Sequence, residues 1–280
     1  MSRIAFVNGA YVAQRDAHIH IEDRGYQFGD GVYEVVLVLN GRLVDCEGHL
    51  DRLDRSLGEM AITLPQSRPI LEMIMRRLIA ANHLKTGLIY MQITRGVAPR
   101  GHAFPSADTP PALVMTAKHL SISADMAGKK AVSVADMRWS RRDIKTIQLL
   151  PNCFAKQEAV SQGAYEAIMI MPDGTVSEGA SSNVWMVTAD NRLVTRQADH
   201  DILNGITRQS LKKLAEERQM VIEERPFTLD DLLAAKEVFV SSATSLATAI
   251  IDIDGKPIAD GKPGEVATAL RADYLKRSQN

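Results

Sequence analysis

One lysine in the sequence has neighbours that would make it a nucleophile. Lys145 stands between Ile144 and Ile147, in a run whose apolar residues predict at least partial burial. An amine in apolar surroundings loses hydration, which disfavours its charged form and makes the neutral, nucleophilic amine accessible. This is the form that makes a Schiff base with a carbonyl compound. A lysine at a strand edge whose ammonium group reaches water would show the same pattern, so this lysine alone does not decide the chemistry.

Three polar segments that follow Lys145 could surround an anionic ligand. Residues 178–183, Glu-Gly-Ala-Ser-Ser-Asn, place a carboxylate and several hydrogen-bonding groups at a predicted strand start. Residues 204–208, Asn-Gly-Ile-Thr-Arg, open a predicted helix, and the amides of a helix start attract phosphate. Residues 241–245, Ser-Ser-Ala-Thr-Ser, directly follow a predicted strand. A polar turn or an ordinary helix cap would explain each segment equally well by itself.

The elements that would position these groups fall into two halves of the chain. Strand and helix patterns are grouped rather than strictly alternating, which favours two α+β domains over a doubly wound sheet. A stretch of polar and small residues separates the halves. The sequence therefore predicts a smaller N-terminal domain at residues 1–118, an interdomain linker at residues 119–130, and a larger C-terminal domain at residues 131–280 that carries Lys145.

Local patterns predict the individual elements. The first 45 residues are expected to be strands, with hairpin turns at the Asn-Gly pairs 8–9 and 40–41. Apolar residues at helical spacing predict helices near residues 50–60 and 71–79. Further strands are predicted at residues 87–94, 112–117, 131–137, 164–171, 183–187, 193–195, 220–223 and 237–240. Further helices are predicted at residues 153–162, 207–217 and 228–235, the last with Thr228 and Asp231 as a capping pair.

Composition narrows the classes of function. The chain has 280 residues and a formal net charge of −1, which argues against a general nucleic-acid or membrane-surface binder. Its apolar stretches are too short to span a bilayer. Two cysteines, Cys46 and Cys153, provide neither a disulfide framework nor a CxxC metal site, so we expect a cytoplasmic protein. The sequence also lacks the GxGxxG and GxxxxGK[ST] nucleotide motifs.

The polar segments, taken in order, resemble the fold-type IV pyridoxal-phosphate enzymes, the family of branched-chain and D-amino acid aminotransferases. The matching segments are residues 178–185, 193–195 and 205–208 in the second half and residues 22–34 (Glu-Asp-Arg-Gly-Tyr-Gln-Phe-Gly-Asp-Gly-Val-Tyr-Glu) and 49–53 (His-Leu-Asp-Arg-Leu) in the first. Trp185 stands where relatives usually have Phe or Tyr. Because the resemblance covers nearly the whole chain, it implies the two-domain α+β fold of that family.

The resemblance also implies pyridoxal 5′-phosphate (PLP) as cofactor. Lys145 then corresponds to the lysine that forms the Schiff base with PLP, Glu178 to the carboxylate at the pyridine nitrogen, and Arg52 to the phosphate-binding arginine. The other implied cofactor-binding residues are Ser181, Ser182, Asn183, Leu203, Gly205, Ile206, Thr207, Ser242 and Ala243. Relatives often have threonine in place of Ala243, so the resemblance does not extend to one side-chain hydrogen bond to the phosphate.

A loop in the first half of the chain bears on the substrate. Residues 94–104 contain Arg100-x-His102, and an arginine fork suits two-point binding of a carboxylate. In D-amino acid transaminases such a pair binds the substrate α-carboxylate together with a tyrosine, which here is Tyr33. The resemblance further implies that a neighbouring subunit donates the loop, and hence a homodimer. We expect ping-pong transamination between a D-amino acid and a 2-oxo acid. The expected substrates are D-alanine and 2-oxoglutarate.

Other functions stay open from the sequence. A branched-chain L-amino acid aminotransferase and an aminodeoxychorismate lyase share the expected fold and lysine. A non-catalytic metal-binding module is a more distant alternative, because His18-x-His20-x-Glu22 would lie on one face of a strand. Surface alternation against Ile19 and Ile21 explains that pattern more simply. By itself the Arg100-x-His102 pair would also fit an exposed loop.

Overall fold

The computed structural model describes residues 3–123 and 127–279, so part of the predicted linker, residues 124–126, lies outside the described residues. The chain forms two compact units. One consists of Met1–Ile122 and Ile144–Gln148, and the other of Ser123–Asp143 and Leu149–Asn280. Within the described part, no helix is both long and apolar enough to cross a membrane.

The first unit contains a six-stranded antiparallel sheet. Its strands are β1 (Ile4–Val7), β2 (Ala10–Ala13), β3 (Gly31–Leu39), β4 (Arg42–Leu43), β5 (Gly87–Thr94) and β6 (Ala112–His119), in the order β2-β1-β6-β5-β3-β4. Both predicted hairpins are confirmed. Asn8 and Gly9 have φ of 44° and 97°, and Asn40 and Gly41 have φ of 51° and 74°. Positive φ at both central residues is what the favoured two-residue hairpin turn requires, and Asn-Gly adopts it at low cost.

Two long helices pack on this sheet where the apolar spacing predicts them. They are α2 (Cys46–Glu59) and α3 (Arg68–Ala81), separated in sequence from β3 and β5 by short connections. The buried helix residues are Leu50, Leu53 and Leu57 of α2 and Leu71, Ile74, Met75, Leu78 and Ile79 of α3. They form one apolar core with sheet residues such as Val36, Ile89 and Met91. This core fixes α2 against β3, the elements that carry the predicted site residues Arg52 and Tyr33.

A short helix, α1 (Arg24–Phe28), lies where the sequence predicted strand. Asp23 caps it by accepting a hydrogen bond from the amide of Gly25 at 2.8 Å. The helix ends at Gly29, whose φ is 66°. Five residues are too few to show a helical period, which is why apolar spacing does not reveal α1.

The second unit contains a nine-stranded mixed sheet. Its strands are β7 (Lys129–Ala135), β8 (Glu166–Ile170), β9 (Val176–Gly179), β10 (Asn183–Val187), β11 (Leu193–Thr195), β12 (Ile222–Glu224), β13 (Glu237–Ser242), β14 (Leu246–Ile253) and β15 (Lys256–Pro257). Their order is β12-β11-β10-β13-β14-β7-β8-β9, with β15 paired to β14. The pairs β11/β12, β7/β14 and β7/β8 are parallel. The sequence patterns missed β9 and β14.

The described residues of the second unit also form four α-helices: α4 (Leu150–Ser161), α5 (Ile206–Glu217), α6 (Leu229–Leu233) and α7 (Glu265–Gln279). The predicted capping pair is confirmed, since Thr228 and Asp231 satisfy each other's backbone amides at the start of α6. The sequence analysis missed α7. Its buried apolar residues are the small Ala267 and the larger Leu270 and Tyr274. So few apolar positions give only a weak helical pattern in the sequence.

The segment that carries Lys145 groups with the first unit, whereas the sequence-based division counted it with the C-terminal domain. Backbone hydrogen bonds explain the difference. The amide of Tyr33 donates to the carbonyl of Lys145 at 3.0 Å, and the amide of Ile147 donates to the carbonyl of Gly31 at 3.1 Å. Through these hydrogen bonds, residues 144–148 pair with the start of β3. The domain boundaries themselves stay a prediction.

The buried face of α3 predicts a difference in stability between two substitutions. Leu78 is fully buried, while Met73 on the same helix is 57 % exposed. Leu78→Ala should lower the free energy of unfolding by about 2–5 kcal/mol, because it leaves a cavity. Met73→Ala, the matched control, should change it by less than about 0.5 kcal/mol. Urea denaturation of both variants measures this, and equal losses would contradict the assigned faces of α3.

Candidate active site

Lys145 lies half-buried beside the start of β3. Its amide donates to the hydroxyl of Ser56 in α2 at 3.4 Å. Its Nζ lies 4.2 Å from the centre of the Tyr33 ring, within the range of a cation–π contact. Tyr33 in turn stacks on Tyr90 of β5, with ring centres 5.8 Å apart. The amine is therefore held against an aromatic face and is not sealed inside the core.

Arg52 is oriented by a buried carboxylate. Its Nε and Nη2 donate to Oε1 and Oε2 of Glu34, both at 2.8 Å, and Nδ1 of His49 lies 2.7 Å from Oε2. Burial alone would raise the pKa of Glu34, but the charge and hydrogen bonds of Arg52 and the hydrogen bond of His49 lower it to about 2. Burial lowers the pKa of His49, although the hydrogen bond and the charge of Glu34 act in the opposite direction. Sequence reasoning assigned no role to Glu34 or His49, although both stand in the matched motifs.

Glu178, at the end of β9, is 5 % exposed and accepts hydrogen bonds from three directions. The Nδ2 of Asn183 donates at 3.1 Å, the amide of Leu203 donates at 3.2 Å, and Nη1 of Arg138 forms a short ion pair. Asn183 also donates to the carbonyl of Leu203 at 2.8 Å. The structure thus brings together Glu178, Asn183 and Leu203, three of the predicted site residues.

Arg138 is a member of this cluster that sequence reasoning missed. It bridges Glu178 and Asp136, donating from Nε and Nη2 to the Asp136 carboxylate at 3.0 and 2.8 Å. Burial would raise the pKa of Asp136, but Arg138 and the hydroxyl of Ser177 lower it to about 2. Burial would lower the pKa of Arg138, and the two carboxylates raise it overall. The only sequence signal is an Asp-x-Arg pair just after β7.

The start of α5 comes close to the same cluster. A Cβ on Gly205 would lie 2.2 Å from Oδ1 of Asn183, so glycine is required at this helix cap. The side chains of Ile206 and Thr207 are buried. Amides in the first turn of a helix have no acceptor within the helix, which leaves them to an anion or to water.

Ser242 and Ala243 lie at the end of β13, next to the start of β10, where Asn183 pairs with Ser241. The Ser242 hydroxyl lies 3.0 Å from that of Thr244 and 2.6 Å from that of Ser245. The small polar residues of this turn are therefore grouped, as the sequence suggested.

The hydroxyls of Ser181 and Ser182 point to a different partner from the one expected. Both donate to Oε2 of Glu166, at 3.1 and 2.8 Å. Glu166 is 1 % exposed and lies on β8, about fifteen residues earlier in the chain. A cofactor contact of these serines stays a prediction, and in this structure their hydroxyl protons are directed to Glu166.

Arg100 and His102 lie on an exposed loop. The guanidinium carbon of Arg100 is 4.8 Å from the centre of the Phe28 ring, and the ring centres of His102 and Phe28 are 5.8 Å apart. Neither residue hydrogen-bonds to Tyr33 or stacks on it in the described part of the chain. The chain by itself does not assemble the three expected carboxylate-binding residues.

The residues present fit the cofactor that the motifs suggest. The first unit offers a positioned amine at Lys145 and an arginine at position 52 whose guanidinium is hydrogen-bonded to Glu34. The second unit offers a fixed carboxylate at Glu178 and a helix start that glycine leaves open. A phosphorylated pyridine aldehyde needs an amine, a partner for its ring nitrogen and phosphate-binding groups.

The metal-site alternative loses its structural basis. Residues 17–20 are irregular and residues 21–22 form a turn, so the strand predicted across His18, His20 and Glu22 is wrong. Among residues 3–123 and 127–279, no group of three or more His, Cys, Asp or Glu side chains is arranged to hold a metal ion.

Comparison with known sequences gives matches over most of the chain. A family model described as Amino-transferase class IV matches residues 31–253. D-alanine aminotransferase from Staphylococcus aureus (strain MSSA476) is 41 % identical over 273 residues, which cover 97 % of this chain and 96 % of that protein. D-alanine aminotransferase from Listeria monocytogenes (strain 10403S) is 42 % identical over 275 residues, covering 96 % and 94 %.

Comparison with solved structures confirms the expected α+β fold of fold type IV. Branched-chain amino acid aminotransferase from Escherichia coli gives a TM-score of 0.92 at 24 % identity, covering 99 % of this chain and 95 % of that chain. A hypothetical aminotransferase from Mycobacterium tuberculosis, in its PLP-bound form, gives 0.83 at 24 % identity, covering 98 % of each chain. At such identities the likeness lies in the fold and does not identify a substrate.

The buried Glu34 predicts how stability depends on pH. Its pKa of about 2 lies below the ordinary value of 4.5, so its ionisation stabilises the folded state above pH 4.5 and the contribution is lost as the pH falls through 2. Glu34→Gln should therefore reduce the loss of unfolding free energy between pH 4.5 and pH 2 by about 3 kcal/mol. Denaturant unfolding at several pH values measures it.

The matched control for this prediction is Glu47→Gln, an exposed position on the neighbouring helix α2. It should keep the wild-type dependence on pH. If Glu34→Gln also kept it, the carboxylate of Glu34 would not be held ionised by Arg52 and His49.

Proposed function

The chain belongs to the amino-transferase class IV family, and we propose that it is a PLP-dependent transaminase for D-amino acids. The expected amino donor is D-alanine and the expected acceptor is 2-oxoglutarate. One observation carries the proposal: the two D-alanine aminotransferases match nearly the whole chain at 41–42 % identity. Membership of an enzyme family sets aside the non-catalytic metal-binding module.

Lys145 and Glu178 have the central roles in the proposal. When bound, PLP supplies a ring that accepts the electrons released as the substrate Cα loses its proton. Lys145 would hold the cofactor through its amine and, once released, would be the base that takes up and returns the substrate Cα proton. Glu178 pairs with the pyridine nitrogen, and its fixed position supports this role, since Arg138, Asn183 and Leu203 all donate to it.

The phosphate of the cofactor needs donors and positive charge. Arg52 suits this role because Glu34 holds its guanidinium in one orientation. The amides at the start of α5 add a favourable helix dipole. The proposed cofactor contacts besides Lys145 and Glu178 are Arg52, Ser181, Ser182, Asn183, Leu203, Gly205, Ile206, Thr207, Ser242 and Ala243.

The substrate α-carboxylate is proposed to bind Tyr33, Arg100 and His102. Arg100 and His102 lie against Phe28 of their own chain rather than Tyr33. We therefore propose that they serve the site of a second copy in a homodimer. The cytoplasmic location stays a prediction.

The two alternatives that share the fold are tested by their substrates. The solved Escherichia coli branched-chain aminotransferase shares the fold at 24 % identity, so the branched-chain alternative is decided by activity on L-leucine. The aminodeoxychorismate lyase alternative differs in its reaction, since it releases pyruvate without transferring nitrogen.

The proposed reaction is tested with the PLP-loaded protein and single enantiomers. D-alanine with 2-oxoglutarate should give pyruvate at least about 100-fold faster than L-leucine gives its 2-oxo acid, and Lys145→Ala should abolish both reactions. Lys118→Ala, at an exposed position of β6, is the matched control and should keep wild-type rates. Equal rates with D-alanine and L-leucine, or pyruvate release from aminodeoxychorismate, would contradict the proposal.

Arg100 is expected to act on substrate binding and not on cofactor binding. Arg100→Ala should raise the KM for D-alanine roughly 10- to 100-fold, because the carboxylate loses charge-assisted hydrogen bonds. The affinity for PLP should stay within about twofold of wild type, since only the substrate contact is removed. Steady-state kinetics and a PLP titration measure the two quantities. An unchanged KM would show that Arg100 does not bind the carboxylate.

A further inference from the structure

The segment of residues 22–30 matches the family motif closely, yet none of its residues has a role in the proposed reaction. It lies alongside the base of the loop that carries Arg100 and His102. The amide of Arg24 donates to the carbonyl of Gly96 at 2.9 Å, and the amide of Ala98 donates to the carbonyl of Glu22 at 3.3 Å. An isolated bridge between Asp23 and Val97 completes the pairing. The base of the loop is thus fixed to this segment.

Arg24 extends this attachment to the exposed part of the loop. It is 3 % exposed, and its Nη1 donates to the carbonyls of Gly101 at 2.7 Å and Ala103 at 3.3 Å. These two residues flank His102. The Nε of the same guanidinium donates to Oδ2 of Asp30 at 2.8 Å. One buried side chain therefore holds the backbone on both sides of His102.

Asp30 links Arg24 to a second arginine. Arg95 donates to both oxygens of Asp30, at 2.8 and 3.0 Å. It also donates to the carbonyls of Met60 and Ala61 at 2.7 and 2.9 Å, just after α2. Its guanidinium carbon lies 3.6 Å from the centre of the Phe104 ring. The far end of the loop and the end of α2 are connected through the same carboxylate.

Phe28 supports the two side chains that the loop presents. The guanidinium carbons of Arg24 and Arg100 each lie 4.8 Å from the centre of its ring, and the ring of His102 lies 5.8 Å away. The loop from residue 100 to residue 103 is exposed, so these contacts are what restrict Arg100 and His102. Without them, ordering the loop would cost conformational entropy at each binding event.

We propose that Arg24 is a positioning residue for the substrate: it holds residues 101–103, and with Phe28 it presents Arg100 and His102 in the geometry that binds an α-carboxylate. The inference rests on the proposed function, since it assigns the loop to the substrate. Asp30 and Arg95 complete the arrangement by fixing the guanidinium of Arg24 and the end of the loop at Phe104.

The test compares Arg24→Lys with wild type in the PLP-loaded protein. Lysine keeps the charge, but its single ammonium cannot span Asp30 and both loop carbonyls. Amide hydrogen exchange in residues 100–104 should become faster, and the KM for D-alanine should rise roughly tenfold while kcat stays within about twofold. Arg77→Lys, which alters a cation–π contact with Tyr11 in the same unit, is the matched control and should change neither quantity.

A second variant keeps the test valid if Arg24→Lys does not fold. Phe104 is 63 % exposed, so Phe104→Leu should fold, loosen the loop through Arg95 and raise the KM by a smaller factor. Unchanged exchange in residues 100–104 in a folded Arg24→Lys would overturn the inference, and so would faster exchange with an unchanged KM. Failure of the proposed function would look different: wild type itself would not consume D-alanine, while the exchange comparison would still decide whether Arg24 holds the loop.

Discussion

The position of Lys145 depends on a few backbone hydrogen bonds with the first residues of β3. Tyr33 donates its amide to the carbonyl of Lys145, and the Tyr33 ring also lies beside the amine of the same lysine. One residue thus contacts both the backbone and the amine of Lys145. Because side chains alternate between the two faces of an extended segment, a slip of one residue in this pairing would turn the amine away from the ring.

Buried carboxylates paired with arginines recur in each of the two units. Glu34 orients Arg52, Asp30 fixes Arg24 and Arg95, and Glu178 is held by Arg138. Removing such charges from water is costly, and charge-assisted hydrogen bonds offset much of that cost. Ion pairs of this kind add little net stability, but each of these arginines makes at least two hydrogen bonds that orient its guanidinium. The proposed reaction would need its binding groups to be held in fixed positions of this kind.

The sequence predicted those features whose causes are local. The Asn-Gly hairpins follow from the backbone preferences of two residues, and α2 and α3 from apolar spacing. The sequence did not predict those features that depend on partners far away in the chain. The hydroxyls of Ser181 and Ser182 are directed by Glu166 on another strand, and Arg138 gains its importance from Glu178, forty positions later. The motifs predicted Lys145 and Glu178 as site residues. Only the structure shows which groups hold Lys145, because they are not its neighbours in the sequence.

The central claim is that the amine of Lys145 carries the cofactor, and chemical trapping tests it directly. Borohydride reduction of the purified PLP-loaded protein converts a Schiff base into a stable amine, which peptide mass spectrometry can locate. The account predicts one phosphopyridoxyl group, on Lys145. Reduction that leaves Lys145 unmodified, whether the group is on another lysine or on none, would contradict it.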